Sequence, residues 1–189
     1  MRAALRWKWS GHGRKQMADA VPVRVYIAVG ANIEPERNIT AGLMLLAKQV
    51  DIRAVSTFYR TPAIGHADQD DYLNGVIAIE TVLSAHELKL DFLRDVERAT
   101  GRRRSADAYA ARPLDLDILL YGEHVIDDGE IEIPDPDITL RPFLAAGLLE
   151  LNPSLTLPGD GRRLAERIDP GVIAALKKED AFTRKLKES

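Results

Sequence analysis

Apolar residues alternate with others at Val23, Val25, Ile27 and Val29, the period of a half-buried β-strand. Gly30 and Pro35 interrupt this pattern. Ile39, Leu43, Leu46 and Val50 then recur at helical spacing and predict an amphipathic helix. A second β-rich run covers residues 52–59, followed over 60–71 by an irregular polar segment containing Pro62 and Gly65. Residues 73–81, rich in Val and Ile, predict a third strand. Ser84 and Glu87 then form an S-x-x-E capping box, in which each side chain satisfies a backbone donor of the first helical turn. The helix they open has Leu88, Phe92, Val96 and Ala99 as its apolar face, and Gly101 is a natural stop. An Arg- and Ala-rich loop over 102–112 leads into a fourth strand over 114–120.

The order β-α-β-β-α-β predicts an α+β fold built on the ferredoxin-like split unit, an antiparallel sheet carrying its helices on one face. A β-hairpin over 122–133, a helix over 141–151 and a charged, helical segment from Ala165 onward extend that core. With no repeat or linker in the chain, the expected organisation is one domain, 23–168, between two appendages. Residues 1–22 read as a disordered basic leader: they hold Trp7 and Trp9 but lack the apolar core of a secretory signal. Residues 169–189 read as a solvated helical tail with Lys177, Lys178, Arg184, Lys185 and Lys187.

Composition narrows the function. A chain of 189 residues with 46% hydrophobic residues buries roughly 70% of its unfolded surface and needs no disulfide or structural metal to be stable. Zero cysteines exclude thiol catalysis, iron–sulfur clusters and Cys-bound zinc, and fit a cytoplasmic location. The net charge of −3 conceals an asymmetry, because residues 1–16 carry five basic residues and no acid. Without them 21 basic residues face 29 acidic ones, a net of −8. So acidic a body is poorly suited to nucleic acid, and its expected partners are small molecules, with the chain acting as a monomer. The apolar stretch around Phe143 stops at Glu150, well short of the ~20 residues a bilayer requires.

The sharpest chemical feature is Asp115-Leu116-Asp117. Residues two apart on a strand share a side, so both carboxylates face one way while Leu114, Leu116 and Ile118 face the other. A hard divalent cation relieves their repulsion, and Mg²⁺ commonly binds through one or two carboxylates with substrate phosphates completing its shell. Alone, so short a motif equally describes a solvated strand face with Arg partners. Arg102, Arg103, Arg104 and Arg112, in a loop with the composition of a mobile lid, add planar donors suited to a polyphosphate. Upstream, Tyr59, Thr61, Pro62, Tyr72 and Asn74 surround the irregular segment. Asn offers a donor and an acceptor to an amide-like heterocycle and Tyr offers a stacking face, although a core Tyr and a turn Asn would look the same. The four His, at 12, 66, 86 and 124, have no metal-ligand spacing, and no G-x-S-x-G, Walker A or G-x-G-x-x-G motif occurs.

In register over Val23 to Ile168 stand Tyr-Ile-Ala-Val-Gly-Ala-Asn at 26–32, Phe-Tyr-Arg-Thr-Pro at 58–62 and Asp-Tyr-Leu-Asn-Gly at 71–75. Glu97, Gly101-Arg102, Arg-Pro-Leu-Asp-Leu-Asp-Ile at 112–118 and Arg-Pro-Phe at 141–143 follow. This series resembles the 6-hydroxymethyl-7,8-dihydropterin pyrophosphokinases of folate biosynthesis. The resemblance implies transfer of the β,γ-pyrophosphoryl group of ATP to the pterin hydroxymethyl oxygen with release of AMP. It further implies that Asp115 and Asp117 hold two Mg²⁺ ions while Arg102 and Arg112 clamp phosphate charge. Tyr72 and Phe143 would sandwich the pterin, with Thr61, Pro62, Ala63, Ile64 and Asn74 around its edge. Glu97, Arg104, Tyr109, Ile118 and Arg141 would serve ATP, Tyr109 standing where the family carries a Trp on its mobile loop.

The chain departs from the family at Pro134-Asp135-Pro136, where the family has Pro-His-Pro with a histidine expected to contact ATP phosphate. Ala110-Ala111 replaces a Gly-Pro, and the family's Pro is missing near Gly147. With Glu130 and Glu132 nearby, Asp135 leaves two alternatives open: a non-catalytic pterin-binding paralogue with impaired ATP binding, and a pyrophosphokinase acting on a modified pterin.

Overall fold

The computed structural model describes residues 21–65, 68–103, 107 and 110–188, so the expected leader lies outside them except for Val21 and Pro22. In chain order the first half comprises β1 (Val23–Ala31), α1 (Pro35–Leu46), β2 (Asp51–Val55), β3 (Tyr59–Thr61) and β4 (Tyr72–Thr81). A π-helical stretch, Glu87–Leu93, continues into α2 (Arg94–Ala99), which precedes β5 (Asp115–Tyr121). The hairpin β6 (Ile126–Asp127) and β7 (Glu132–Ile133) is followed by α3 (Pro142–Leu151), α4 (Pro170–Ala174), β8 (Lys177–Lys178) and α5 (Asp180–Lys187). The main sheet runs β5-β1-β4-β3-β8, with β2 also on β4, and its pairings are antiparallel. The fold is mixed α/β.

Strand alternation divides the interior into two cores. Val25, Ile27 and Val29 of β1, Leu73, Ile77 and Ile79 of β4 and Leu116 and Ile118 of β5 pack on α1, the π-helical stretch and α2 through Ile39, Leu43, Leu88 and Val96. The opposite face presents Tyr26, Val76, Ala78 and Leu119 to Leu144, Ala145 and Leu148 of α3 and to Leu155, Leu157 and Leu164 beyond it. α1 and α2 thus share one face, and α3, outside the expected β-α-β-β-α-β unit, covers the other. Gly147 permits this approach, since a Cβ there would lie 2.6 Å from Val76 Cγ2.

Three elements differ from their sequence-based expectations. The run over 52–59 splits into β2 and β3 because Ser56 replaces one rung of the ladder: its N–H donates to Val76 O (2.9 Å) while its Oγ accepts from Val76 N–H (2.8 Å). The second helix opens on the expected capping box, with Ser84 N–H donating to Glu87 Oε2 (2.9 Å) and Glu87 N–H to Ser84 Oγ (3.3 Å). Its first turns are nonetheless π-helical, which shifts the helical phase so that Leu93 is buried and Ala99 exposed.

The third difference is the tail. β8 pairs with β3, Phe182 packs edge-on against Phe58 at a centroid separation of 5.4 Å, and Phe58 N–H donates to Thr183 Oγ1 (2.9 Å). Phe182 and Leu186, one helical turn apart among charged residues, were the available signal, and both belong to the α1–α2 core. Phe182→Ala is therefore expected to lower the unfolding free energy by about 3–4 kcal/mol in urea titrations. A truly solvated helix would lose less than about 0.5 kcal/mol.

Candidate active site

Along β1 and β4 the apolar residues facing α3 give way to Ala28, Gly30, Asn74 and Tyr72, and there a cleft of about 530 Å³ opens. β4 supplies Asn74, whose Nδ2 donates to Thr61 Oγ1 on β3 (2.8 Å). Asn74 can lie across β1 only because its neighbour is Gly30, where a Cβ would stand 2.5 Å from Asn74 Oδ1. Pro62, Ala63 and Ile64 continue from β3 as one wall, and Arg141, Pro142 and Phe143 at the start of α3 form another. Burial pushes the Tyr72 phenol above its ordinary range, so it stays protonated at neutral pH.

The other end of the cleft is charged. Asp115 and Asp117 project from β5 into it, while Leu116 between them is buried on the opposite face. Arg102 Nη1 donates to Asp115 Oδ1 (2.5 Å), Arg112 Nη1 bonds Asp115 Oδ2, and Lys89 Nζ bonds Asp117 Oδ1 and Leu116 O. Behind them Glu97, 5% exposed, accepts from Leu116 N–H (2.9 Å) and from Arg102 Nη1. Burial pushes the Glu97 carboxyl up, opposed by the Arg102 charge and the Leu116 N–H. Glu97 thereby ties α2 to the strand carrying both aspartates. Three carboxylates here face three cations, so the cluster is close to charge balance as it stands.

Asn32, 3% exposed, directly follows β1 and joins the two loops that flank the cleft. Its Oδ1 accepts from Arg112 N–H (2.7 Å), and its Nδ2 donates to Gln69 Oε1 (3.0 Å) and Asp70 O (3.3 Å). Asp135 also lines the cleft; its Oδ1 accepts from Asp137 N–H (2.8 Å). Burial, reinforced by the nearby charge of Asp117, raises the Asp135 carboxyl to about 6. Arg141 is held at the rim by Asp137 Oδ2 (2.7 Å).

The cleft thus brings together Thr61, Pro62, Ala63, Ile64, Tyr72 and Asn74 with Arg112, Asp115, Asp117, Arg141 and Phe143. Glu97 and Arg102 border a second hollow of about 470 Å³ with Leu90, Arg94 and Arg98, and Arg94 Nε is buried without a hydrogen-bond partner among the described residues. Ile118 is not brought to the cleft: at 3% exposure its side chain belongs to the α1–α2 core, as alternation along β5 requires. Arg104 and Tyr109 lie outside the described residues.

Asn32, Lys89 and Leu176 also belong to the site's surroundings without having been singled out from the sequence. A polar residue closing an apolar strand was the signal for Asn32. Lys89 and Leu176 reach the site only through the π-helical phase and the position of β8.

The donor set at Asp115 and Asp117 fits a hard divalent cation: two hard oxygen ligands on one strand face, opening on space for more oxygens. Among the described residues no group of three or more metal-ligating side chains converges, so remaining ligands would have to come from substrate and water. Among the described residues, too, no helix is long and apolar enough to cross a membrane.

Residues 26–153 match the family model described as 7,8-dihydro-6-hydroxymethylpterin-pyrophosphokinase. The chain is 40% identical over 146 residues to the 2-amino-4-hydroxy-6-hydroxymethyldihydropteridine pyrophosphokinase of Pseudomonas aeruginosa, covering 76% of this chain and 88% of that protein. It is 38% identical over 139 residues to the protein of the same name from Haemophilus influenzae, covering 72% and 86% respectively. With that of Methylorubrum extorquens it shares 35% identity over 154 residues, 79% of this chain and 96% of the relative.

The raised Asp135 carboxyl gives a signed pH dependence. Between its ordinary value of 3.8 and about 6 the folded protein binds the extra proton, so Asp135 makes the fold progressively less stable as pH rises through that window. Asp135→Asn keeps the Oδ1 acceptor for Asp137 N–H. Its stability relative to the unmutated protein should be flat below about pH 4, rise between about 4 and about 6 and then level off, as urea unfolding at stepped pH would read. A pH-independent difference would refute the shift.

Proposed function

Since this chain belongs to the 7,8-dihydro-6-hydroxymethylpterin-pyrophosphokinase family, we propose that it transfers pyrophosphate from ATP to the hydroxymethyl group of 6-hydroxymethyl-7,8-dihydropterin in folate synthesis. The pterin oxygen attacks the β-phosphorus of ATP, the bond from that phosphorus to the α–β bridging oxygen breaks, and AMP leaves with the bridging oxygen as the hydroxyl gives up its proton. The observation that carries this reading is the two-ended cleft: Asn74, Thr61 and Tyr72 at one end, and Asp115 and Asp117 with Arg112 at the other.

Asn74 and Thr61 present amide and hydroxyl groups to the polar edge of the pterin. Tyr72 and Phe143 provide ring faces for its heterocycle. Asp115 and Asp117 are the side chains we assign to Mg²⁺, two ions with ATP. When bound, Mg²⁺ neutralises triphosphate charge and aligns the oxygens of the displacement. Arg102 and Arg112, held at the charged end by Asp115, have planar donors that phosphate oxygens can share or capture, so little reorganisation accompanies clamping. The second hollow, with Glu97, Arg102 and Arg94, is where we assign the rest of the nucleotide. Arg141 we assign to phosphate at the cleft mouth. Such catalysis is positioning and electrostatics, with little covalent work for protein groups.

The strand order, with β2 and β3 both beside β4, supports reading the core as the ferredoxin-like split unit. Residues 23–168 form the pyrophosphokinase domain in this reading, with the C-terminal segment packed onto it. Nothing in the comparisons favours the non-catalytic alternative.

AMP release from Mg-ATP, with and without 6-hydroxymethyl-7,8-dihydropterin, tests the assignment. Release should depend on pterin and fall by about a thousandfold in Asp117→Ala while circular dichroism stays unchanged. A near-normal rate in that variant would remove Asp117 from the metal site. No AMP from an unmutated protein that binds pterin would instead point to a non-catalytic binder.

A further inference from the structure

The matched region ends at residue 153, yet the cleft continues past it. β8 lies antiparallel to β3 with Tyr59 opposite Lys178 and Arg60 opposite Lys177, so the next step in register sets Leu176 beside Thr61. Thr61 in turn stands opposite Tyr72 on β4. Residues facing one another across antiparallel strands share a sheet face, which puts Leu176 in the row of Tyr72 and Thr61, and it lines the cleft with them. This is the heterocycle end of the cleft, remote along the sheet from β5 and its two carboxylates.

Leu176 is fixed there from both sides in sequence. Its N–H donates to Ile173 O (3.1 Å). Three residues on, Glu179 N–H donates to Phe58 O (2.8 Å) and Glu179 Oε1 accepts from Arg60 Nε (2.6 Å). Phe182 and Leu186 then anchor α5 in the core. An apolar side chain so held beside a hydroxyl and a phenol has one use in a cleft that takes a flat heterocycle: it sets how much ring the pocket admits.

Resting on the pterin reading above, we propose that Leu176 is a specificity-determining residue, an apolar wall contributed by the C-terminal segment that contacts the pterin ring and limits its size. Leu176→Ala removes three carbons from the wall, whereas Leu176→Met retains an apolar side chain of similar volume.

Calorimetry on the full-length protein, with 6-hydroxymethyl-7,8-dihydropterin and with Mg-ATP as separate ligands, gives the test. A turnover comparison adds a pterin carrying one extra methyl group on its reduced ring. For Leu176→Ala the pterin dissociation constant should rise about tenfold, and preference for the methylated analogue over the parent should improve by a similar factor. Its Mg-ATP affinity should stay within about twofold, and Leu176→Met should restore pterin binding to within about threefold. An unchanged pterin constant in Leu176→Ala would overturn the proposal. So would equal weakening of both ligands with a lowered unfolding midpoint, the mark of a purely structural residue. Failure of the unmutated protein to bind pterin would overturn the preceding reading, and this one with it.

Discussion

Side-chain alternation along β1, β4 and β5 governs both what is buried and what is left to bind. On the α1–α2 face the apolar series runs the full length of the strands, from Val25 to Ala31 and from Ile79 to Leu73. On the α3 face it lasts only half as long: Tyr26, Val76 and Ala78 are followed by Ala28, Gly30, Asn74 and Tyr72, which cannot seat a helix. α3 therefore packs over one half and leaves the other open. A one-residue slip of β5 would bury Asp115 and Asp117 and turn Leu116 into the cleft, so strand register and site are specified together.

The charged end is organised around a buried carboxylate rather than an exposed one. Glu97 reaches from α2 to the backbone of Leu116 and to Arg102, and Arg102 in turn holds Asp115. Removing Glu97 would strip the buried Leu116 N–H of its acceptor, and removing Arg102 would strip buried Glu97 of the cation bonded to it, both costly in a poorly solvated interior. Lys89 gives Asp117 a similar companion from the preceding helical stretch. The two aspartates are thus oriented by cations on the neighbouring elements.

Much of this was legible in the chain. Period-two spacing located β1, β4 and β5 because each buries one continuous face, and helical spacing located α1 and the second helix. The Asp115–Asp117 pair was readable because alternation alone puts both on one side. Ile118 was singled out by motif matching alone, and alternation along β5 sends its side chain into the core. Lys89 was hidden by the π-helical phase, which no α-helical projection reproduces. Leu176 and Phe182 were hidden because a two-residue strand and a two-residue apolar stripe among lysines carry too little periodicity to stand out. What they join is decided by β3, more than a hundred positions earlier.

The π-helical stretch Glu87–Leu93 has a consequence for how this chain can change by insertion and deletion. Loss of one residue there would let the segment relax into ordinary α-helix with the turns beyond it nearly in phase, because an i→i+5 turn holds about one residue more than an i→i+4 turn. Val96 would stay on the core, and Glu97 would keep its reach to Leu116 N–H and Arg102. A second loss, with no further π turn to absorb it, would rotate everything after it by about 100° and carry both away. The stretch thus holds one spare residue that the rest of the helix does not have.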